Sequence, residues 1–264
     1  MINLLQVCNL SMFQSNVYVL MIRRPPRSTL DRRQRQMCIR DRYVMIVEAL
    51  SSSLKGIERS EIVRQTNIKD GGGLSGMLRD LEMSGFISSY VPFGKKKKNA
   101  LFRLIDCYSL FYLRFIQNIP KTESISYQSL SQTQTWKTWT GYAYENITLI
   151  HIHFIKTALG ISGIQTKQYS FITKATDEHE GVQIDLLIDR ADNVINLCEV
   201  KFYNEEFIIS KSDAENLRKK KSIFKHVSNT KKQIFITLLT TFGIHQNKNS
   251  IGLIDQVLTV DDLF

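Results

Sequence analysis

Cysteine, proline and tryptophan are scarce: the 264 residues include four, four and two of them. Cys8 and Cys38 lie in or beside an arginine-rich stretch, while Cys107 and Cys198 sit in apolar contexts. There is no CxxC, no zinc-ligand spacing and no pairing pattern. Buried free thiols and a reducing cytoplasm are therefore expected. A G-x-x-x-x-G-K-[ST] motif is absent, so this chain has no P-loop with which to bind ATP. The glycine-rich stretch 71–76 lacks the lysine and reads as a turn and helix start. No apolar run reaches the length of about eighteen residues that a membrane helix needs. Residues 1–13 are too short for one and lack the basic start of a signal peptide. A soluble protein is expected. Repeats and low-complexity tracts are missing as well.

Positive charge is abundant at first sight, with a formal net charge of +10. Residues 17–42 (VYVLMIRRPPRSTLDRRQRQMCIRDR) carry eight arginines against two aspartates, a net of +6, and residues 1–16 carry no charge. That leaves +4 for residues 43–264, which permits nucleic-acid binding without arguing for it. On composition, the stretch reads as an arm for nucleic acid or membrane. Its LMIRRPPRSTL and RQRQMCIRDR strings resemble translated sequencing adapter. The resemblance implies that residues 1–42 are a non-native segment with no fold of their own.

About 222 residues then remain, enough for two small domains. The first is expected over 43–118. Val44, Ile46, Val47, Leu50 and Leu54 recur at helical spacing, ERSEIVRQTNI is a short second helix, and Leu74, Met77, Leu78 and Leu81 mark a third that Gly85 stops. SSYVPFG and NALFRLID read as two strands around a basic tip, Lys95, Lys96, Lys97 and Lys98. Three helices and a β-wing make a winged helix-turn-helix. One reading has it contact DNA, with the lysines on phosphate. The other makes it a packing module with solvated lysines, and Ser75, Arg79 and Asp80 are a poor set for reading base edges. The segment around Phe111, Tyr112, Phe115 and Ile116 reads as core. Residues 119–139 read as a linker or an exposed helical connection, with Trp136 and Trp139 packing on the next domain.

The second domain is expected over 140–264: a helix over 142–159, a strand over 165–173, a hairpin of 182–190 and 194–203, an amphipathic helix, a buried strand KQIFITLLT and a short VLTV. His151 and His153 are placed on the helix, where they diverge. In the hairpin Val182, Ile184, Leu186 and Ile188 alternate with Gln183, Asp185, Leu187 and Asp189. Glu199 and Lys201 are two apart and leave one face of the second strand, with Asp185 carried alongside. Paired carboxylates repel unless a hard cation lies between them, and Mg²⁺ takes carboxylate oxygens and waters. A neighbouring lysine can activate water or hold a phosphate. The plainer alternative is an exposed hairpin with ordinary charges.

The series GYAYENITLIHIHFIKTALGI, VQIDLLIDR, INLCEVKF, KKQIFITLLTTFG and VLTVDDLF resembles the C-terminal region of archaeal-type AAA ATPases. In that family a P-loop domain is followed by a winged helix and a restriction-endonuclease-like PD-(D/E)xK domain. The resemblance spans about residues 43–264. It implies an α+β or α/β fold with a central mixed sheet, Asp185 and Glu199 as ligands of Mg²⁺ or Mn²⁺, and Lys201 as the lysine of ExK. Glu145 matches the glutamate of the first helix, and Gln183 lies by the metal water or substrate. Ile184 stands where the motif name has proline. The implied protein is a fragment whose ATPase domain is missing, with DNA as partner. Two functions stay open: Mg²⁺-dependent phosphodiester hydrolysis, or a non-catalytic regulatory or interaction module that retains the fold for binding DNA or protein. Oligomeric state is left open.

Overall fold

The computed structural model describes residues 30–117, 119, 126–177 and 179–264, with side chains from Arg40 on, Tyr127 excepted. Expectations about residues 1–29 lie outside the described residues. The chain divides into two compact units. One holds residues up to Tyr90 together with Lys98–Trp139; the other holds Val91–Lys97 and Thr140–Phe264.

The first unit begins with α1 (Leu30–Ser51), β1 (Ile57–Glu58), α2 (Arg59–Thr66), α3 (Gly72–Met83), β2 (Ile87–Tyr90) and β3 (Leu101–Leu104). The three strands form one antiparallel sheet in the order β1-β3-β2. Ile46, Val47, Leu50, Ile62, Leu74, Leu78 and Leu81 are buried, as their helical spacing requires. α3 stops as expected. Gly85 takes φ +74°; the Phe86 N–H reaches the Leu81 carbonyl at 3.0 Å and the Gly85 N–H that of Glu82 at 3.1 Å. The absence of fold expected before Tyr43 is corrected for residues 30–42, which are helical. They contain leucine, arginine, glutamine and methionine and no glycine or proline, so helix propensity carries α1 upstream of its packed half.

One choice and one further correction concern this unit. Of the two readings of the connection, residues 127–139 take the helical one, as α5 (Tyr127–Ser131) and the start of α6 (Gln134–Ile150). Trp136 and Trp139 pack on each other at 5.0 Å between ring centroids, and both meet Phe111 and Phe115. Those phenylalanines come from α4 (Cys107–Phe111) and the π-helical turn Tyr112–Ile116 that continues it. The two tryptophans thus close an aromatic cluster of the first unit.

The second unit is α+β around a five-stranded mixed sheet. α6 and α7 (Ile152–Ala158) precede β4 (Thr166–Thr173), β5 (Val182–Arg190), β6 (Val194–Lys201), β7 (Phe207–Ile208), α8 (Lys211–Ser228), β8 (Gln233–Thr240), β9 (Ile244–His245) and β10 (Gln256–Leu258). The sheet order is β10-β8-β6-β5-β4, with β7 and β9 a separate parallel pair. The β4–β5 and β5–β6 pairs are antiparallel, whereas the β6–β8 and β8–β10 pairs are parallel. The turn joining β5 to β6 is tight because Asn193 adopts φ +64°. A parallel β6–β8 pair requires a crossover, and α8 supplies it. Its start is set by a capping box between Ser210 and Asp213, its end by Asn229 at φ +49°. Ile223 and Phe224 of α8 cover Leu187, Ile195 and Leu197 on the sheet.

The helix expected over 142–159 is two helices, broken at His151 (φ −95°, ψ 24°). The wing also differs. β2 and β3 pair as expected, but the residues between them, Val91–Lys97, belong to the second unit. Among the described residues no helix is long and apolar enough to cross a membrane.

Candidate functional site

The ladder between β5 and β6 ends at Leu186↔Cys198. One step further along each strand stand Asp185 and Glu199. Here β5 is irregular: Tyr169 pairs with Leu187 and Phe171 with Ile184, so two residues, Asp185 and Leu186, oppose the single Ser170 of β4. The bulge resets the alternation read from the sequence, and Ile184 and Leu187 both join the core under α8. Asp185 falls at the reset. Such irregularities re-aim one side chain relative to its strand.

Asp185 is half-buried, and its Oδ1 accepts a hydrogen bond from Gln183 Nε2 at 2.8 Å. Glu199 is 5 % exposed in a central strand. Each of its oxygens meets an ammonium: Lys201 Nζ lies 3.3 Å from Oε1 and Lys220 Nζ 2.7 Å from Oε2. Lys201 was expected beside Glu199. Lys220 on α8 was not, because its contact needs the crossover helix to fold back over the sheet; only its place in the basic run 218–221 hinted at it. Burial pulls the Lys201 ammonium towards neutrality. Glu199, with Tyr203 and Asp213 behind it, outweighs that, so the proton is held more tightly than on a free lysine.

The other predicted residues are placed as follows. Glu145 is half-buried on α6, between Tyr144 and the buried Asn146. Tyr144 donates to the Thr240 carbonyl at 2.8 Å. Among the described residues there is no group of three or more His, Cys, Asp or Glu able to hold a metal. Asp189 is paired with Lys232 at 2.5 Å. Lys95, Lys96, Lys97 and Lys98 are exposed. His151 and His153 do not diverge; the break in the helix brings their rings to 6.4 Å, and His151 also lies 4.7 Å from the Phe264 ring. Cys107 and Cys198 are free and buried.

Two carboxylates at adjacent positions of neighbouring strands suit a hard divalent ion in donor chemistry, since Mg²⁺ is held by one or two carboxylates with water completing its shell. Glu199 meanwhile has its charge matched by two lysines, so an ion taking its oxygens replaces an ammonium. No protein-family model, no curated protein and no solved structure matches this chain.

Proposed function

We propose that the second unit is a PD-(D/E)xK-type nuclease-like domain acting on DNA phosphodiesters, and that the chain is the C-terminal part of an AAA-family ATP-binding protein. The observation that carries this reading is Glu199: a nearly buried carboxylate in a central strand, bracketed by two lysines, one step past the ladder from Asp185 on a bulge. Burying charge costs several kcal/mol per ion before pairing offsets it, and such clusters concentrate where chemistry needs them. The order helix, three antiparallel strands, crossover helix, parallel strand supports the same reading. So does the first unit, whose order α1-β1-α2-α3-β2-β3 supports a winged helix.

Asp185 and Glu199 would hold Mg²⁺ or Mn²⁺, which supplies a water of lowered pKa and a Lewis acid for a phosphoryl oxygen. Gln183 fixes the Asp185 carboxylate, leaving Oδ2 for a ligand. Lys201 remains charged and stabilises the negative charge that builds on the phosphate. Lys220 keeps Glu199 neutralised when no ion is there. For the winged helix the packing role is the better supported. Ser75 bonds its own turn at Gly71, and Asp80 accepts from Tyr43 at 2.5 Å, which leaves Arg79 alone to read bases.

A second reading, a non-catalytic module that binds DNA or protein, is favoured by one observation: both Glu199 oxygens already have cationic partners. Nicking of supercoiled plasmid by the full chain, with Mg²⁺ or Mn²⁺, separates the two. The expected result is nicking that Asp185→Ala lowers at least about 100-fold. Equal nicking by both proteins overturns the hydrolytic assignment, and no nicking by the wild type leaves the binding module.

A further inference from the structure

The four lysines after β2 were read as the tip of a wing, yet the chain leaves that hairpin at Val91 and joins the other unit. Pro92 bridges Ser170 in parallel fashion, and the Phe93 N–H donates to the Ser170 carbonyl at 2.7 Å. The Phe93 ring sits edge-on against Tyr169 at 5.2 Å and Phe224 at 5.3 Å, packed on the core that α8 covers. Gly94 at φ +75°, with the Lys95 N–H reaching the Pro92 carbonyl at 3.0 Å, then turns the chain outward. Lys95, Lys96 and Lys97 follow, all exposed and without a carboxylate partner among the described residues. Ser170, where this segment docks, is the same residue that β5 opposes with its Asp185 bulge. Lys167 and Lys174, on β4 and just beyond its end, are exposed as well.

We infer that residues 91–97 are an anchored basic finger of the second unit, which grips the phosphate backbone of a nucleic acid along the β4 edge beside Asp185. An ordinary solvated lysine run needs no anchor. Here a backbone hydrogen bond, a strand bridge and an aromatic plug fix the root of three adjacent ammoniums, which removes the conformational freedom a phosphate contact would otherwise have to freeze. The finger carries no base-reading groups, so it contributes affinity and register but no sequence preference. Docking along β4 also occupies the outer edge of the sheet, a strand edge otherwise open to pairing with another chain. The inference rests on the nucleic-acid reading above, but it concerns binding alone.

The test is fluorescence anisotropy of a labelled DNA duplex with the full chain in EDTA, from about 50 to 200 mM salt. Lys95→Gln/Lys96→Gln/Lys97→Gln is expected to weaken binding roughly 10- to 100-fold and to flatten the slope of log K against log salt by about 2 to 3. Phe93→Ala keeps every charge but frees the root, and is expected to lose much of the same affinity; Phe93→Leu, which refills the site, recovers it. Circular dichroism and β5 amide protection confirm that each variant is folded. Unchanged affinity and slope in the triple variant overturn the inference. So does a folded Phe93→Ala protein that binds like wild type, since an anchor would then be unnecessary. Equal, lysine-dependent binding to phosphatidylserine vesicles overturns the assignment to nucleic acid. Nicking that Asp185→Ala abolishes, together with unchanged duplex binding by the triple variant, leaves the hydrolytic reading standing while this one fails; binding lost in the triple variant, together with equal nicking by wild type and Asp185→Ala, does the reverse.

Discussion

Removing the Lys220 ammonium tests whether Glu199 is held or merely tolerated. Their side chains are only 13 % and 7 % exposed, so the pair is not a surface ion pair of negligible worth. At 2.7 Å the Coulomb attraction is about 6 kcal/mol for an effective dielectric near 20. Desolvation of both ions offsets much of this, and breaking a buried pair by removing one partner costs about 3–5 kcal/mol. Lys201 remains 3.3 Å away in the variant and shields part of the charge, so a loss of about 2–4 kcal/mol is expected for Lys220→Met. Methionine keeps the stem, so lost packing adds little. The protection of β6 and β8 amides in native-state hydrogen exchange reads this unit without mixing in the other. Adding Glu199→Leu to Lys220→Met should restore most of the loss, because an apolar pair can replace a buried ion pair at little cost. Freeing a Glu199 oxygen should also tighten Mn²⁺ binding, read by electron paramagnetic resonance in the folded variant. If Lys220→Met changes protection by less than about 0.5 kcal/mol and leaves Mn²⁺ binding as it was, Lys220 is not what holds Glu199.

Other outcomes follow from single positions. His151 titrates below its ordinary 6.5, first because it is buried and second because His153 faces it, against a hydrogen bond the ring donates to the Leu263 backbone. The unfolded chain therefore takes the proton first, and stability present above about pH 6.5 is lost as pH falls below it; His151→Phe should flatten melting temperature between about pH 7 and 5. Gly56 has φ +84°, and a Cβ there would meet the Phe102 carbonyl oxygen at 2.8 Å. Gly56→Ala should cost at least about 1–2 kcal/mol by chemical denaturation, whereas Gly72→Ala, in open space at the start of α3, should cost nothing or stabilise slightly. Equal effects of the two glycine changes would refute the steric reading. Measured by nicking, Lys201→Met should cost activity at every pH, because the lysine it replaces stays charged throughout the neutral range.

Local pattern alone marked many of the helices and the longer strands of both units, though not the break at His151 or the upstream extension of α1. Period-3.6 apolar spacing marked α3 and Gly85 ended it; β-branched apolar runs marked β6 and β8; the Ala191–Asp192–Asn193 break located the hairpin turn. It also singled out Glu199 and Lys201, because charged groups inside an apolar strand carry a cost that is visible without coordinates. The tertiary structure decided what local spacing cannot encode. The bulge at Asp185 depends on pairing with β4, since a strand read alone has no partner against which to count an extra residue. Lys220 reaches Glu199 only because α8 crosses back over the sheet, a contact between residues 21 apart. Phe93 leaves its own hairpin for the β4 edge because the aromatic plug and strand bridge found there are formed by residues nearly eighty positions further along the chain.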